Sequence, residues 1–422
     1  MPPSEQPRGD GGVGADYCAR VTQRGRALVT VAVLLLAINL RPVVNALGAV
    51  VPELRDATGL PAGVTGLLLS LPTIAFAVTG VAAPTLAARI GAHRTVVVAL
   101  AALLTGQLVR AAVPGVPALF VGSLLALAGI AVANVLMPGL VRLHFPDRIP
   151  LITAAYTTLL TIGGASAAGL TLPVQRGLGG DWRLGIGMWS ATAAVALVPW
   201  LLLIRETGGG TRGAGTRLPL RVLARTRVAW ALALYFACQS MIAYVVFGWL
   251  AEILVDEGMT DTAAAAQVSI SIAVGIPLAA LVPTLLGRSR HPAVLVIVLA
   301  GCYLLAFVGL IVAPTDPVWL WSVLIGIGTG AFPLALTLIA LRARTALATT
   351  SLSAFTQCVG YLIASVGPLG FGLLFELSGA WTVPLIALCG VVLVQIAAGL
   401  LAVRPRYVED ELPPRTGPGS PS

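Results

Sequence analysis

The stretch AINLRPVVNAL (37–47) places one arginine and two asparagines inside an apolar run that begins VTVAVLLL. Arg41 offers a permanent charge and a planar fork of N–H donors, a match for a planar anion or a polar planar group. Asn39 and Asn45 add amide donors and acceptors. Pro42 removes a backbone N–H and can loosen a helix, freeing a carbonyl. Isolated polar residues also interrupt later apolar runs. They are Asn134 in GIAVANVLMPGL, Tyr156 and Thr158, Gln239, Ser240 and Tyr244 in YFACQSMIAYVVFGWL, Ser269 and Ser271, and Gln357 and Tyr361 in FTQCVGY. None of these is acidic, so Arg41 lacks an obvious carboxylate partner. Either a ligand anion or a set of neutral acceptors must meet it, or it ties helix carbonyls together. Lining a cavity and bonding helix to helix fit Gln239 and Tyr244 equally well.

This is a binding set, not a catalytic one. There is no HExxH and no acid cluster, and GIGTG (326–330) lies in an apolar run without a lysine. His93, His144 and His291 fall at loop edges, and the five cysteines (Cys18, Cys238, Cys302, Cys358 and Cys389) form no CxxC pair. No enzyme activity, cofactor, metal or disulfide framework is expected.

The elements that must position these residues are long. Hydrophobic residues make up 57% of the 422 and charged ones 10%, with a mean hydropathy of +0.94. Ten per cent charge cannot cover a water-soluble surface of this size. Apolar runs long enough to cross a bilayer recur throughout, so the class is an all-α membrane protein. Dividing at Pro, Gly and charge clusters predicts twelve transmembrane helices, near 28–51, 64–88, 95–113, 117–141, 151–174, 183–204, 228–251, 263–286, 292–313, 317–341, 348–374 and 381–403.

The net charge of +9 comes from arginines in short clusters between these runs, which fits membrane topology rather than nucleic-acid binding. The clusters Arg20/Arg24/Arg26, Arg89/Arg94, Arg142/Arg148, Arg205 through Arg227, Arg288/Arg290, Arg342/Arg344 and Arg404/Arg406 all fall on one side. Glu53, Asp56, Glu252, Asp256 and Glu376 fall on the other. Both termini are therefore expected in the cytoplasm. Arg110, nearer the outer end of the third run beside Gln107, is expected to snorkel, and Trp249, Trp182 and Trp381 to join the interfacial belt.

The halves repeat with one offset. Glu53 and Glu252 are 199 positions apart (252 − 53), and the same shift carries PTLAAR (84–89) onto PTLLGR, AYTT (155–158) onto AFTQ and GDW (180–182) onto GAW. It carries Arg41 onto Ser240 and Asn45 onto Tyr244, so a charged position faces a neutral one. The predicted organisation is an N-terminal tail (1–26), a six-helix bundle (27–204), a Gly/Thr/Arg-rich cytoplasmic linker (205–227), a second bundle (228–403) and a disordered tail (404–422). Two pseudo-symmetric six-helix bundles form the major facilitator fold, whose substrate site lies between the halves near mid-membrane.

NLRPVVNALGAVVPEL, GIAVANVLMPGLVRLHFPDR, FPLALTLIALRARTA and FTQCVGYLIASVGPL carry a family pattern. With them the chain resembles the cyanate/nitroimidazole porters (CynX/NimT-like) of the major facilitator superfamily. The resemblance implies secondary transport of a small polar or anionic solute across a bacterial inner membrane. Where the superfamily usually has GxLADRxGRR, this chain reads PTLAARIGAHR, with Pro84 and Ala88 in place of the Gly and the Asp. Arg89 and Arg94 remain, as gate residues or as orientation charges. Glu53 and Glu252 are the paired coupling candidates, and plain loop charges fit them as well. Proton co-transport and facilitated diffusion both stay open. Substrate binding is expected at Arg41, Asn39, Asn45, Asn134, Tyr156, Gln239, Ser240, Tyr244, Gln357 and Tyr361 of a monomer embedded in the lipid bilayer. Multidrug efflux and a non-transporting sensor on the same fold are the rival readings.

Overall fold

The computed structural model describes residues 26–60, 62–206 and 218–412. Among these every regular element is a helix. Eleven helices are long and apolar enough to cross a membrane. The remaining predicted crossing, second in chain order, is built from Ala62–Thr79, a 3-10 turn at Gly80–Ala82 and Ala83–Ile90. The other spans are Arg26–Ala49, Ala92–Ala112, Val116–His144, Pro146–Gly177, Trp182–Ile204, Arg227–Asp256, Thr262–Arg288, Pro292–Val312, Val318–Leu341, Ala346–Ser378 and Thr382–Ala402. All lie close to the predicted bounds. Residues 1–25 of the predicted N-terminal tail, with Cys18, and 207–217 of the linker lie outside the described residues.

Several spans are broken rather than continuous. Span 1 is helical over 26–38, turns at 39–41 and resumes as Pro42–Ala49. The cause is local. Pro42 has no N–H for the Ile38 carbonyl, so helical bonding lapses there. The carbonyl lies instead against Gly163 of span 5, where a Cβ would overlap it. Span 10 breaks at Thr329–Gly330 and span 11 at Ser365.

Spans 1–6 pack among themselves, as do spans 7–12. Spans 3 and 4 touch almost backbone to backbone, because Gly106, Gly122 and Gly129 leave no side chain between them. The two halves meet chiefly through spans 2 and 4 against 11, span 5 against 8, and spans 4 and 5 against the second piece of span 10.

These contacts are uneven in depth. On the side where residues 26 and 402 emerge (the terminal side), Gly139 of span 4 abuts Thr350 of span 11, and Gly287 of span 8 abuts Pro150 of span 5. Arg142 donates to the Arg344 carbonyl at 3.4 Å, and Thr157 donates to the Ala279 carbonyl at 2.7 Å. Toward the far side the pieces Pro42–Ala49, Val318–Gly328 and Val366–Ser378 find their main neighbours within their own half. The molecule is thus sealed on the terminal side and parted on the far side.

The expected disordered C-terminal tail is corrected for residues 404–412. This segment folds back over the loop between spans 10 and 11. Val408 N–H donates to the Arg342 carbonyl at 2.9 Å, Arg344 N–H donates to Glu409 at 2.7 Å, and Arg344 pairs with Asp410. Arg342 in turn donates to the Ala402 and Val403 carbonyls. The Asp410 hydrogen bond raises the Arg344 pKa, whereas burial lowers that of Arg342. Charge-rich composition suggested disorder, but here the carboxylates satisfy specific donors on the loop. Residues 413–422 lie outside the described residues.

Candidate binding site

Arg41 sits in the turn of span 1, half-buried. Polar side chains pin the chain on both sides of it. Before the turn, Asn39 donates to the Leu35 carbonyl at 2.8 Å and the Thr192 carbonyl at 3.2 Å, and accepts from the Thr192 hydroxyl at 2.7 Å. After it, Arg110 donates to the Val43 carbonyl at 3.2 Å and Asn45 donates to the Gly164 carbonyl at 3.0 Å. Gly164 also makes room, since a Cβ there would crowd both Asn45 and Arg41. The segment is therefore held to spans 3, 5 and 6 at once.

The guanidinium reaches across to the other half. It lies over the Phe332 ring of span 10, 5.3 Å from the centroid, which is cation–π range. It also lies within electrostatic reach of Tyr244 and Tyr361. Among the described residues it makes no ion pair and no hydrogen bond. Below it the rings are continuous: Tyr361 packs on Phe76 at 5.0 Å, edge-on to Phe236 at 5.1 Å, and 6.4 Å from Tyr244. Phe236 stands 6.1 Å from Phe332. One cation thus faces an aromatic wall, with Asn45 close by on span 1 and bonded to Gly164. That arrangement can hold a flat, electron-rich group, with the fork for its charge and the rings for its faces.

The structure brings Arg41, Asn45, Tyr244 and Tyr361 together and sends the other predicted residues elsewhere. Asn39 faces span 6 with its amide fully engaged. Asn134 and Gln357 bond to each other across the halves at 3.2 Å, and Gln357 also donates to Ser353 at 2.8 Å. This pair belongs to the terminal-side seal. Gln239 donates to Ser240 at 2.6 Å, and both are buried. Tyr156 is fully buried in the main core. Of the gate candidates, Arg89, Arg94 and Glu252 are exposed and Glu53 is half-buried.

Three further expectations are corrected. Arg110 does not snorkel; it is 1% exposed, with one terminal nitrogen turned inward to the Val43 carbonyl and the other two guanidinium nitrogens unpaired among the described residues. Trp182 and Trp381 are interior rather than interfacial, and Trp381 stacks on Phe375 and donates to Asp256 at 3.0 Å. Trp249 packs on Phe371 and Trp381 rather than standing in a belt. His93 and His144 lie at a loop edge as expected, but bond to one another, Nε2 to Nε2, at 2.9 Å. Among the described residues no cluster of three metal-ligating side chains occurs.

Phe76, Phe236 and Phe332 escaped sequence reasoning. A phenylalanine in an apolar helix looks the same whether it faces lipid or a site. The FPLALTLIALR motif contained Phe332, but its position opposite Arg41 depends on how the halves dock.

The Major Facilitator Superfamily model matches residues 33–368. An uncharacterized transporter of Bacillus subtilis (strain 168), YycB, is 33% identical over 89% of this chain and 93% of its own length. The 2-nitroimidazole transporter of Escherichia coli (strain K12) is 31% identical over 91% of this chain and 98% of itself. The cyanate transport protein CynX of the same organism is 29% identical over 82% and 89%. Among solved structures, the transporter FucP superposes with a TM-score of 0.70 at 14% identity, covering 90% of this chain and 98% of FucP. The chain belongs to the Major Facilitator Superfamily, beside the nitroimidazole and cyanate porters.

Proposed function

We propose that this transporter moves a small planar solute, anionic or strongly polar, across the bacterial inner membrane by alternating access. The carrying observation is Arg41, at mid-depth of span 1, facing the parting between the halves with no carboxylate partner among the described residues. A charge in that position costs at least ~2.5 kcal/mol on insertion scales, a cost that a bound anion would offset. Arg41 binds the solute's negative edge, Asn45 and Tyr244 hydrogen-bond to it, and Phe332 flanks it. The relatives named for 2-nitroimidazole and for cyanate support this class, one solute being a nitro heterocycle and the other a small anion.

The terminal side carries the arginine clusters and is assigned to the cytoplasm. The described state is then open outward. Asn134–Gln357, Thr157–Ala279 and Arg142–Arg344 form the inner gate and must separate when the halves rock. The protein acts as a monomer, each half supplying part of one site. Efflux of hydrophobic cations fits poorly, since the central charge would repel them.

Flux into proteoliposomes across a panel of small anions and nitroheterocycles, with and without a pH gradient, tests the reading. Saturable uptake of a planar anion is expected, abolished by Arg41→Ala. Preference for organic cations would overturn it.

A further inference from the structure

A second recess lies well away from the central site, on the terminal-side rim between spans 7 and 12. It is a groove of about 440 Å³. Its walls include Val228, Leu234, Val394 and Leu401, and Trp230 stands at its edge, 40% exposed. Arg225, Arg227, Arg404 and Arg406 line its mouth, and all four are exposed. Among the described residues none of the four forms an ion pair. Glu411 is the sole acid in the lining, and one of its oxygens accepts from Val228 N–H at 3.1 Å.

The composition changes with depth. The arginines cluster where span 7 begins and span 12 ends, at the level of the lipid headgroups. The apolar walls continue inward to Leu234 and Val394, about two helical turns below. At 1.5 Å per residue this depth is roughly 10 Å, the upper part of one acyl chain. The first turn of span 7 opens into the same recess and carries the positive end of the helix dipole. Glu411 shows that this helix end already takes an anionic oxygen. With four arginines against one acid, the mouth stays strongly positive. Orientation charges alone would need no apolar recess beneath them, and a greasy lipid-facing groove would need no ring of guanidinium groups.

We infer that this groove is a binding site for an anionic glycerophospholipid, with the phosphodiester among Arg225, Arg227, Arg404 and Arg406 and one acyl chain between spans 7 and 12. Basic recesses between helices on the cytoplasmic side suit such headgroups. The inference stands apart from the transported solute, because it uses none of the residues of the central site.

The test uses the purified full-length protein in detergent. Native mass spectrometry and thermal melting are followed on adding phosphatidylglycerol, phosphatidylcholine or inorganic phosphate. Phosphatidylglycerol is expected to remain bound and to raise the melting temperature more than phosphatidylcholine does, and inorganic phosphate is expected not to displace it. The pair Arg227→Gln with Arg404→Gln should weaken that binding about fivefold for each arginine removed. The pair Arg288→Gln with Arg290→Gln, on the same side of the molecule but outside the groove, should not. Equal binding of the two lipids, equal loss in both variant pairs, or displacement by inorganic phosphate would each overturn the assignment.

Discussion

Spans 1 and 7 are repeat-mates, 199 residues apart, yet one is broken and the other is not. Span 7 runs as a single helix from Arg227 to Asp256, while span 1 turns at residues 39–41. The difference traces to one position: Pro42 in span 1 corresponds to Met241 in span 7. Beside it, Arg41 corresponds to Ser240, whose hydroxyl is taken up by Gln239. One half therefore offers an unmatched charge on a pinned turn. The other offers a satisfied polar pair on an intact helix, with aromatic rings nearby. Asymmetry on a symmetric frame needs only two adjacent substitutions, provided neighbouring helices supply the pins.

The sharpest way to break this comparison is to remove the charge. Arg41→Ala should weaken substrate binding about 30-fold or more, from the ~2–5 kcal/mol typical of truncating one partner of a buried charge pair. Titration of the purified protein by intrinsic fluorescence reads this directly. Arg41→Lys should fall between, keeping the charge and losing the fork. Unchanged affinity in the alanine variant would remove Arg41 from the site.

Next comes the break itself. Met241→Pro puts the span 1 device into span 7, which runs as one unbroken helix and would lose the bond from residue 241 to the Ala237 carbonyl. It should cost about 3 kcal/mol of stability, seen as a lower melting temperature. A melting temperature equal to the parent's would mean that the proline is not what distinguishes the two spans.

A smaller effect is expected at the seal. Asn134→Ala and Gln357→Ala, singly and together, should show a coupling of about 0.5–1.5 kcal/mol. Cys358 is a natural reporter, since it is buried against the Phe76 carbonyl between the halves. Its alkylation rate, in a background lacking the other cysteines, should rise when the pair is broken. Additive single effects would place the two residues outside one gate.

The mildest contrast is between Glu53 and Glu252. Glu53 is half-buried, with one carboxylate oxygen lacking a partner, whereas Glu252 is exposed. Glu252→Gln is expected to leave uptake and its response to a pH gradient unchanged, and Glu53→Gln to blunt that response. An unchanged response in both variants would mark them as loop charges.

Much of the fold could be read from residue order because hydrophobic length is a strong local signal. Pro42 and Arg41 stood out for the same reason: lipid penalises them, so their presence asks for an explanation. The fate of the other polar residues was not local. Asn39 and Asn134 are both asparagines in apolar helices, and only the docked neighbours show that one pins span 6 and the other Gln357. Arg110 looked free to snorkel until Val43 was found within its reach. Glu409 and Asp410 looked like part of a solvated tail because the donors they satisfy lie in a loop some 65 residues away, the separation between Arg344 and Glu409.

That no carboxylate among the described residues pairs with Arg41 has an electrical consequence. An empty carrier bears a whole positive charge near mid-membrane, and a bound monoanion cancels it. A membrane potential of ~100 mV is worth ~2.3 kcal/mol for each charge carried fully across, so it acts on the empty carrier and hardly on the loaded one. With the cell interior negative, that field pulls the unloaded site inward and resists its return outward. The voltage-sensitive step of the cycle is then the empty return, and the potential contributes little to the loaded step.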